Sequence, residues 1–340
     1  MKKVLKILGG AFAIILGPLL FLSIWMYFAT VGEYSVPLTV ADDSSIPHIQ
    51  IDNTIFHAET FGNDTNEVVI IIHGGPGNDY RYLLPLKPLA QKYFLVFYDQ
   101  RGTGLSPRVD ESEHSLEISI SDLYDIVQYY APNRKVNLIG HSWGAMMASG
   151  FIAKYPEIVN KVVLAEPGML TSEQAAIYMD NFKIRPGWAA LNAMARIVFE
   201  SLHLTNMDLQ ARGDYIFGQI PMLDFEGNPM KRYFCNEDPG TAKLDYWRLS
   251  SVASMTIQGK AVNEDGEIEI DLVSGVENFP GNVLFMVSEC NQIIGEAYQK
   301  GHIKHFPRAE MAVIQDAGHT MFGEQPDSSM AVIQRYFDAE

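Results

Sequence analysis

Six short, almost wholly apolar runs, at residues 68–72, 94–98, 136–139, 162–165, 283–287 and 311–314, constrain this chain more than any other feature. Runs of this kind suit strands buried on both faces, which is the condition of a parallel sheet covered by helices above and below. Helical spacing lies between them: Leu123, Ile126, Val127 and Tyr130 share one helix face, so a helix is expected after Ser121, with Ser121 as its N-cap. Residues 49–51 and 55–61 read as an opening antiparallel hairpin turning at Asp52 and Asn53. The strand and helix rhythm breaks between about 171 and 280, which is expected to be a helical insertion. With 340 residues, 47% of them hydrophobic, the chain is long enough for one large core and such an insertion. The expected division is an N-terminal segment at 1–34, core at 47–170, insertion at 171–280 and core again at 281–340.

Charge and cysteine usage narrow the function. The net charge is −16 and no basic stripe exists to match a phosphate backbone, so nucleic acid is not an expected partner. Cys235 and Cys290 form no CxxC pattern or Cys/His cluster, so no metal and no cofactor is expected. Two buried small apolar side chains are expected in preference to a disulfide, which an oxidising compartment would permit.

At the N-terminus, Lys2, Lys3 and Lys6 precede an uncharged apolar stretch over 7–32, closed by Glu33. At about 1.5 Å per residue that length covers a hydrocarbon layer roughly 30 Å thick, so it reads as a transmembrane helix. A cleaved signal segment is the alternative, disfavoured because the apolar part is longer than a signal's and Ala29-Thr30-Val31 is a poor cleavage site. The lysines before it predict a membrane-anchored protein with the catalytic domain on the non-cytoplasmic side.

The chemistry gathers where strands meet turns. Gly140-His141-Ser142-Trp143-Gly144 fits G-x-S-x-G between an apolar run and a helical one, the setting in which a serine is perched on a sharp turn as a nucleophile. Its hydroxyl needs a base, and His319, in Asp316-Ala317-Gly318-His319 after the 311–314 run, would emerge at the same sheet edge. His73 and His141 are expected to orient backbone; His48, His57, His114, His203, His302 and His305 read as surface or loop residues. The glycine-rich turn His73-Gly74-Gly75-Pro76-Gly77 would supply an oxyanion donor, the N–H of Gly75, beside that of Trp143.

Taken together, HGGPG at 73–77, DQRGTGLS at 99–106, GHSWG at 140–144 and DAGH at 316–319 resemble the proline iminopeptidase branch of the α/β-hydrolase superfamily. The resemblance covers nearly everything from Pro47 onward except the insertion. It implies the α/β-hydrolase fold, a mostly parallel central sheet with helices on both faces and an inserted helical lid. It also implies a metal-free serine aminopeptidase that removes an N-terminal residue, often proline, from a short peptide. Two departures stand out. The branch usually has Gly where His141 stands, and its acid, an Asp in the turn after the 283–287 strand, aligns with the neutral Asn291. Glu166, at the end of the 162–165 strand, and Glu289, two residues before Asn291, are the candidate acids. Glu166 is preferred because some relatives in the superfamily carry their acid at the end of that strand.

Asp99 and Arg101 are expected to brace loops, the Arg fork bonding backbone carbonyls. Trp143 with Trp188, Tyr215, Phe217 and Tyr246 would make an apolar substrate pocket. Glu173, Glu200, Asp214, Asp224 or Glu226 could bind a substrate amine. A carboxylesterase or lactonase acting on a small apolar substrate is the alternative enzyme; a catalytically silent binding protein on the same fold is the alternative of another class. Epoxide hydrolase and dehalogenase chemistry is disfavoured because those enzymes use Asp where Ser142 stands.

Overall fold

The computed structural model describes residues 2–183, 187–205, 208–220, 223, 225, 227–238 and 245–339, the side chains of 2–15 excepted. Its centre is an eight-stranded sheet in the order β1-β2-β4-β3-β5-β6-β7-β8. The strands are β1 His48–Ile51, β2 Thr54–Phe61, β3 Val68–Ile72, β4 Phe94–Tyr98, β5 Val136–His141, β6 Val159–Ala165, β7 Val283–Ser288 and β8 Ala309–Ile314. β1 and β2 form the antiparallel hairpin, β2 pairs antiparallel with β4, and every later pairing is parallel. All five β3 residues are buried; each such Val or Ile contributes roughly 1.5–3 kcal/mol. The central strands therefore carry side chains into two cores, one on each face.

The helices are α1 Lys2–Ala29, α2 Leu116–Tyr130, α3 Trp143–Lys154, α4 Ser172–Asn181, α5 Trp188–Ser201, α6 Ala211–Gln219, α7 Ser251–Lys260, α8 Glu296–Ile303, α9 Met321–Glu324 and α10 Pro326–Asp338. Helices α4 to α7 lie between β6 and β7. α2 starts six residues before the expected position: Ser115, not Ser121, is the cap and accepts the Ile118 N–H at 3.2 Å. Leu123, Ile126 and Val127 meet the core as expected, and the same apolar face continues back through Ile120 to Leu116, which packs against that core.

The membrane-anchor expectation is corrected. Among the described residues no helix is long and apolar enough to cross a membrane. Pro18 lies inside α1. Its last turn docks on the inserted segment instead. The Tyr27 and His203 rings lie 4.5 Å apart, and His203 Nε2 meets the Tyr27 carbonyl at 2.9 Å. Met26 is buried. The predicted transmembrane helix, membrane partner and non-cytoplasmic placement fall with it.

The cysteines also depart from expectation, since Cys235 and Cys290 form a disulfide with Cα atoms 4.8 Å apart. It joins the inserted segment to the turn after β7, a proximity that a sequence separation of 55 conceals.

Three histidines expected at the surface, His57, His114 and His302, are buried. His302 Nε2 donates to the Gly168 carbonyl at 2.8 Å, and burial lowers its pKa to about 4. The unfolded ring titrates near 6.5, so as pH falls the unfolded chain takes the proton first. The neutral ring's contribution is therefore fully present above about pH 6.5 and is lost towards pH 4, amounting to about 3 kcal/mol over that window. We expect His302→Gln, which can still donate to Gly168, to flatten the acid limb of unfolding free energy against pH; equal slopes in both proteins would refute this.

Candidate active site

Ser142 stands between β5 and α3 with φ 55° and ψ −116°, a conformation costing a non-glycine residue about 1–3 kcal/mol. The surroundings hold it there. Its N–H donates to the Ala165 carbonyl at 2.9 Å, and its own carbonyl accepts from Ala145 and Met146, starting α3. Gly144 is required because a Cβ there would stand 2.1 Å from the Ile72 carbonyl oxygen. The turn at Ser142 is thus pressed against the end of β3, where the glycine-rich turn begins. Gly75, with φ 126°, reverses the chain in that turn.

His319 comes to the same rim from the loop after β8. Its Nδ1 lies 2.7 Å from Glu166 Oε2, its N–H donates to the Tyr233 carbonyl at 2.8 Å, and its carbonyl accepts from His141 Nε2 at 2.7 Å. The ring lies between those of His141 and Tyr233, with centroids 4.5 and 4.8 Å away. The residue next to Ser142 is therefore in direct contact with His319.

Glu166 is fully buried just beyond β6. Its Oε1 accepts from the Ser288 N–H at 2.8 Å and from the Ser288 hydroxyl; Oε2 accepts from Asn291 Nδ2 at 2.8 Å as well as from His319. Asn291 in turn is fixed by the Ile293 and Ile294 N–H groups on its Oδ1. The amide at the usual acid position thus serves the carboxylate on the neighbouring strand. Glu289 instead accepts from the Asp316 N–H at 3.0 Å. Sequence reasoning misses Ser288 and Tyr233, because neither carries a signal outside the tertiary contact.

Behind the glycine-rich turn, Gln100 receives the Trp143 indole N–H at 3.0 Å and donates to the His73 carbonyl at 2.9 Å. Gln100 is likewise missed, although it lies inside the DQRGTGLS motif that could have pointed to it. Trp143 is buried in the core. Arg101 braces as expected but through carboxylates, forking onto Asp122 at 2.6 and 2.9 Å and reaching Glu113 at 3.0 Å. Asp99 accepts from His57 Nδ1, Tyr80 N–H and Leu105 N–H. Asp79 accepts from the Trp247 and Arg248 N–H groups, tying the inserted segment to this turn; burial, and then Asp99 beside it, raises its carboxyl well above the usual carboxylate range.

Of the proposed pocket aromatics, Tyr246 stands against Tyr82 at 5.3 Å, whereas Trp188 is 88% exposed. Burial raises the pKa of both Tyr82 and Tyr246, keeping their hydroxyls protonated. The candidate amine-binding carboxylates are engaged elsewhere: Glu173 lies 3.7 Å from Lys304, Glu200 pairs with Arg196 and Tyr215, and Asp214 with Arg108 and Arg248. Asp224 and Glu226 lie outside the described residues.

A profile of the family described as alpha/beta hydrolase fold matches residues 67–326. A proline iminopeptidase of Heyndrickxia coagulans is 36% identical over 274 residues, covering 80% of this chain and 90% of that protein. Epoxide hydrolase 1 of Caenorhabditis elegans is 28% identical over 142 residues, 42% of this chain but only 35% of that protein's length. Among solved structures, a proline iminopeptidase-related protein from Thermus thermophilus shares the fold with a TM-score of 0.62 at 17% identity, covering 86% of this chain and 96% of that one.

Proposed function

This chain belongs to the alpha/beta hydrolase fold family and is a hydrolytic enzyme, and on that premise we propose a serine hydrolase built on Ser142, His319 and Glu166. Ser142 Oγ attacks a carbonyl carbon while His319 Nε2 takes the hydroxyl proton. Glu166 holds the opposite ring nitrogen, so that Nε2 is left unprotonated and ready to accept, and balances the imidazolium that forms. His319 then returns the proton to the leaving group, and water, deprotonated by the same ring, releases the acyl group. The observation that carries this reading is the 2.7 Å contact between His319 Nδ1 and a buried carboxylate, on a loop bonded to the residue next to Ser142.

The N–H groups of Gly75 and Trp143 are the proposed oxyanion donors. Trp143 is the first residue of α3, where an N–H has no partner within the helix and the helix dipole favours negative charge. The inserted segment, with Tyr246 and Tyr233 facing the rim, would act as the lid that limits substrate size and excludes water.

Release of an N-terminal residue, as in a proline iminopeptidase, is the substrate reading we favour, supported by the Heyndrickxia coagulans relative. A carboxylesterase or lactonase is favoured by one observation: Glu200 and Asp214 are already paired, leaving no charge there for a free amine. Turnover of prolyl naphthylamide, its N-acetylated form and p-nitrophenyl acetate separates the two. For the aminopeptidase, acetylation is expected to cost more than about tenfold in kcat/KM, because an amine-binding site is left unpaired. Turnover of the ester with no response to acetylation would replace it with the esterase.

A further inference from the structure

His141, where the resembled branch carries glycine, does more than fill space beside the nucleophile. It is buried, and each ring nitrogen has one partner: Nε2 lies 2.7 Å from the His319 carbonyl oxygen and Nδ1 2.7 Å from the Tyr82 hydroxyl. The Tyr82 oxygen also receives the Gly74 N–H at 2.8 Å. A carbonyl can only accept, so Nε2 carries the hydrogen. Burial, and then the neighbouring His319, holds the ring well below its usual pKa, which leaves it neutral with Nδ1 free to accept from Tyr82. The polarity is therefore single throughout: Gly74 N–H to Tyr82 oxygen, Tyr82 hydroxyl to His141, His141 to His319.

From this we infer that His141 is a positioning residue, the middle link of a hydrogen-bonded relay that sets the distance between the oxyanion turn and the His319 loop. The inference rests on the serine hydrolase reading, since it assigns His141 a task in presenting that reading's base. The loops at the two ends of the relay come from β3 and β8, which do not pair directly but are separated by β5, β6 and β7. A direct side-chain link across the turn at Ser142 constrains their separation. Reacting groups displaced by about 1 Å can lose about 100-fold in rate.

Two substitutions distinguish a relay from simple packing. Gln at 141 keeps one donor and one acceptor with similar reach; Phe keeps the ring and removes both. The relay predicts that His141→Gln retains kcat within about threefold, whereas His141→Phe loses about 30- to 100-fold in kcat with little change in KM. A packing role predicts the reverse order. Tyr82→Phe, which removes the middle hydroxyl, is expected to cost about tenfold alone and almost nothing further in the His141→Phe background, because one chain is already broken. Independent multiplication of the two losses, or His141→Phe with kcat near that of the unaltered enzyme, overturns the inference.

A readout free of turnover accompanies these rates: the low-field proton resonance of His319 Nδ1–H, expected to move in His141→Phe and to hold in His141→Gln. Should a fluorophosphonate fail to label Ser142 in the unaltered protein, the hydrolase reading fails. The resonance still decides whether His141 positions His319, and an unchanged resonance in His141→Phe refutes that.

Discussion

Ser142→Ala is expected to lower kcat/KM by about 10⁴- to 10⁶-fold on whichever acyl substrate the enzyme turns over best. The substitution removes the proposed attacking oxygen and leaves the proposed oxyanion donors and His319 in place. What remains is attack by water held near those donors, which is slow because no covalent intermediate forms. The fold should survive, since the turn is held by backbone bonds from Ser142 to Ala165, Ala145 and Met146 that alanine keeps, and alanine meets the same left-handed strain as serine. Mass spectrometry after fluorophosphonate treatment should place one adduct on Ser142 in the unaltered protein and none in the variant. A folded Ser142→Ala protein with undiminished turnover would end the proposal.

Glu166→Gln should cost about 10²- to 10⁴-fold in kcat. Four donors converge on this carboxylate: the Ser288 N–H and hydroxyl on one oxygen, Asn291 Nδ2 and His319 Nδ1 on the other. An amide has one oxygen only, so its NH2 must oppose a donor in either orientation. Placed towards Ser288, it meets a backbone N–H that cannot turn away, an unsatisfied burial worth about 1–3 kcal/mol. Placed towards His319, it forces the other tautomer, with a hydrogen on the nitrogen that should accept from Ser142. Asn291 cannot rotate to help, because Ile293 and Ile294 hold its oxygen. Glu289→Gln is the control, expected within about twofold of the unaltered enzyme because Glu289 accepts the Asp316 N–H rather than a His319 nitrogen. If Glu166→Gln stays fully active while Glu289→Gln does not, the acid assignment passes to Glu289.

The fold was legible where the sequence periods were unambiguous. The runs at 68–72 and 94–98 coincide with β3 and β4, and the others extend by one to three residues because polar residues such as His141, Asn160 and Ser288 continue the strands. Helix starts were less legible: Ser115 and Ser121 are both serines with suitable sequence after them, and only the position of the core selects between them. The N-terminal segment misled for a related reason. An apolar helix suited to lipid and one that rests its end on another helix have the same composition, and the difference lies in what Met26 and Tyr27 touch.

For the site, the sequence alone determined the chemical types and their chain order: a serine at a strand-to-helix turn, a glycine-rich turn, a histidine after the last strand and a short set of carboxylates. These are local properties, written in residue type and spacing. Only the tertiary structure decided which carboxylate faces His319, because the choice between Glu166 and Glu289 turns on the pairing of β6 with β7 and on four donors from distant segments. It likewise decided that His57, His114 and His302 are interior, that Cys235 meets Cys290, and that His141 joins two loops. Hydrogen bonds act over about 3 Å, and no reading of one chain in order measures which remote atoms folding brings within that reach.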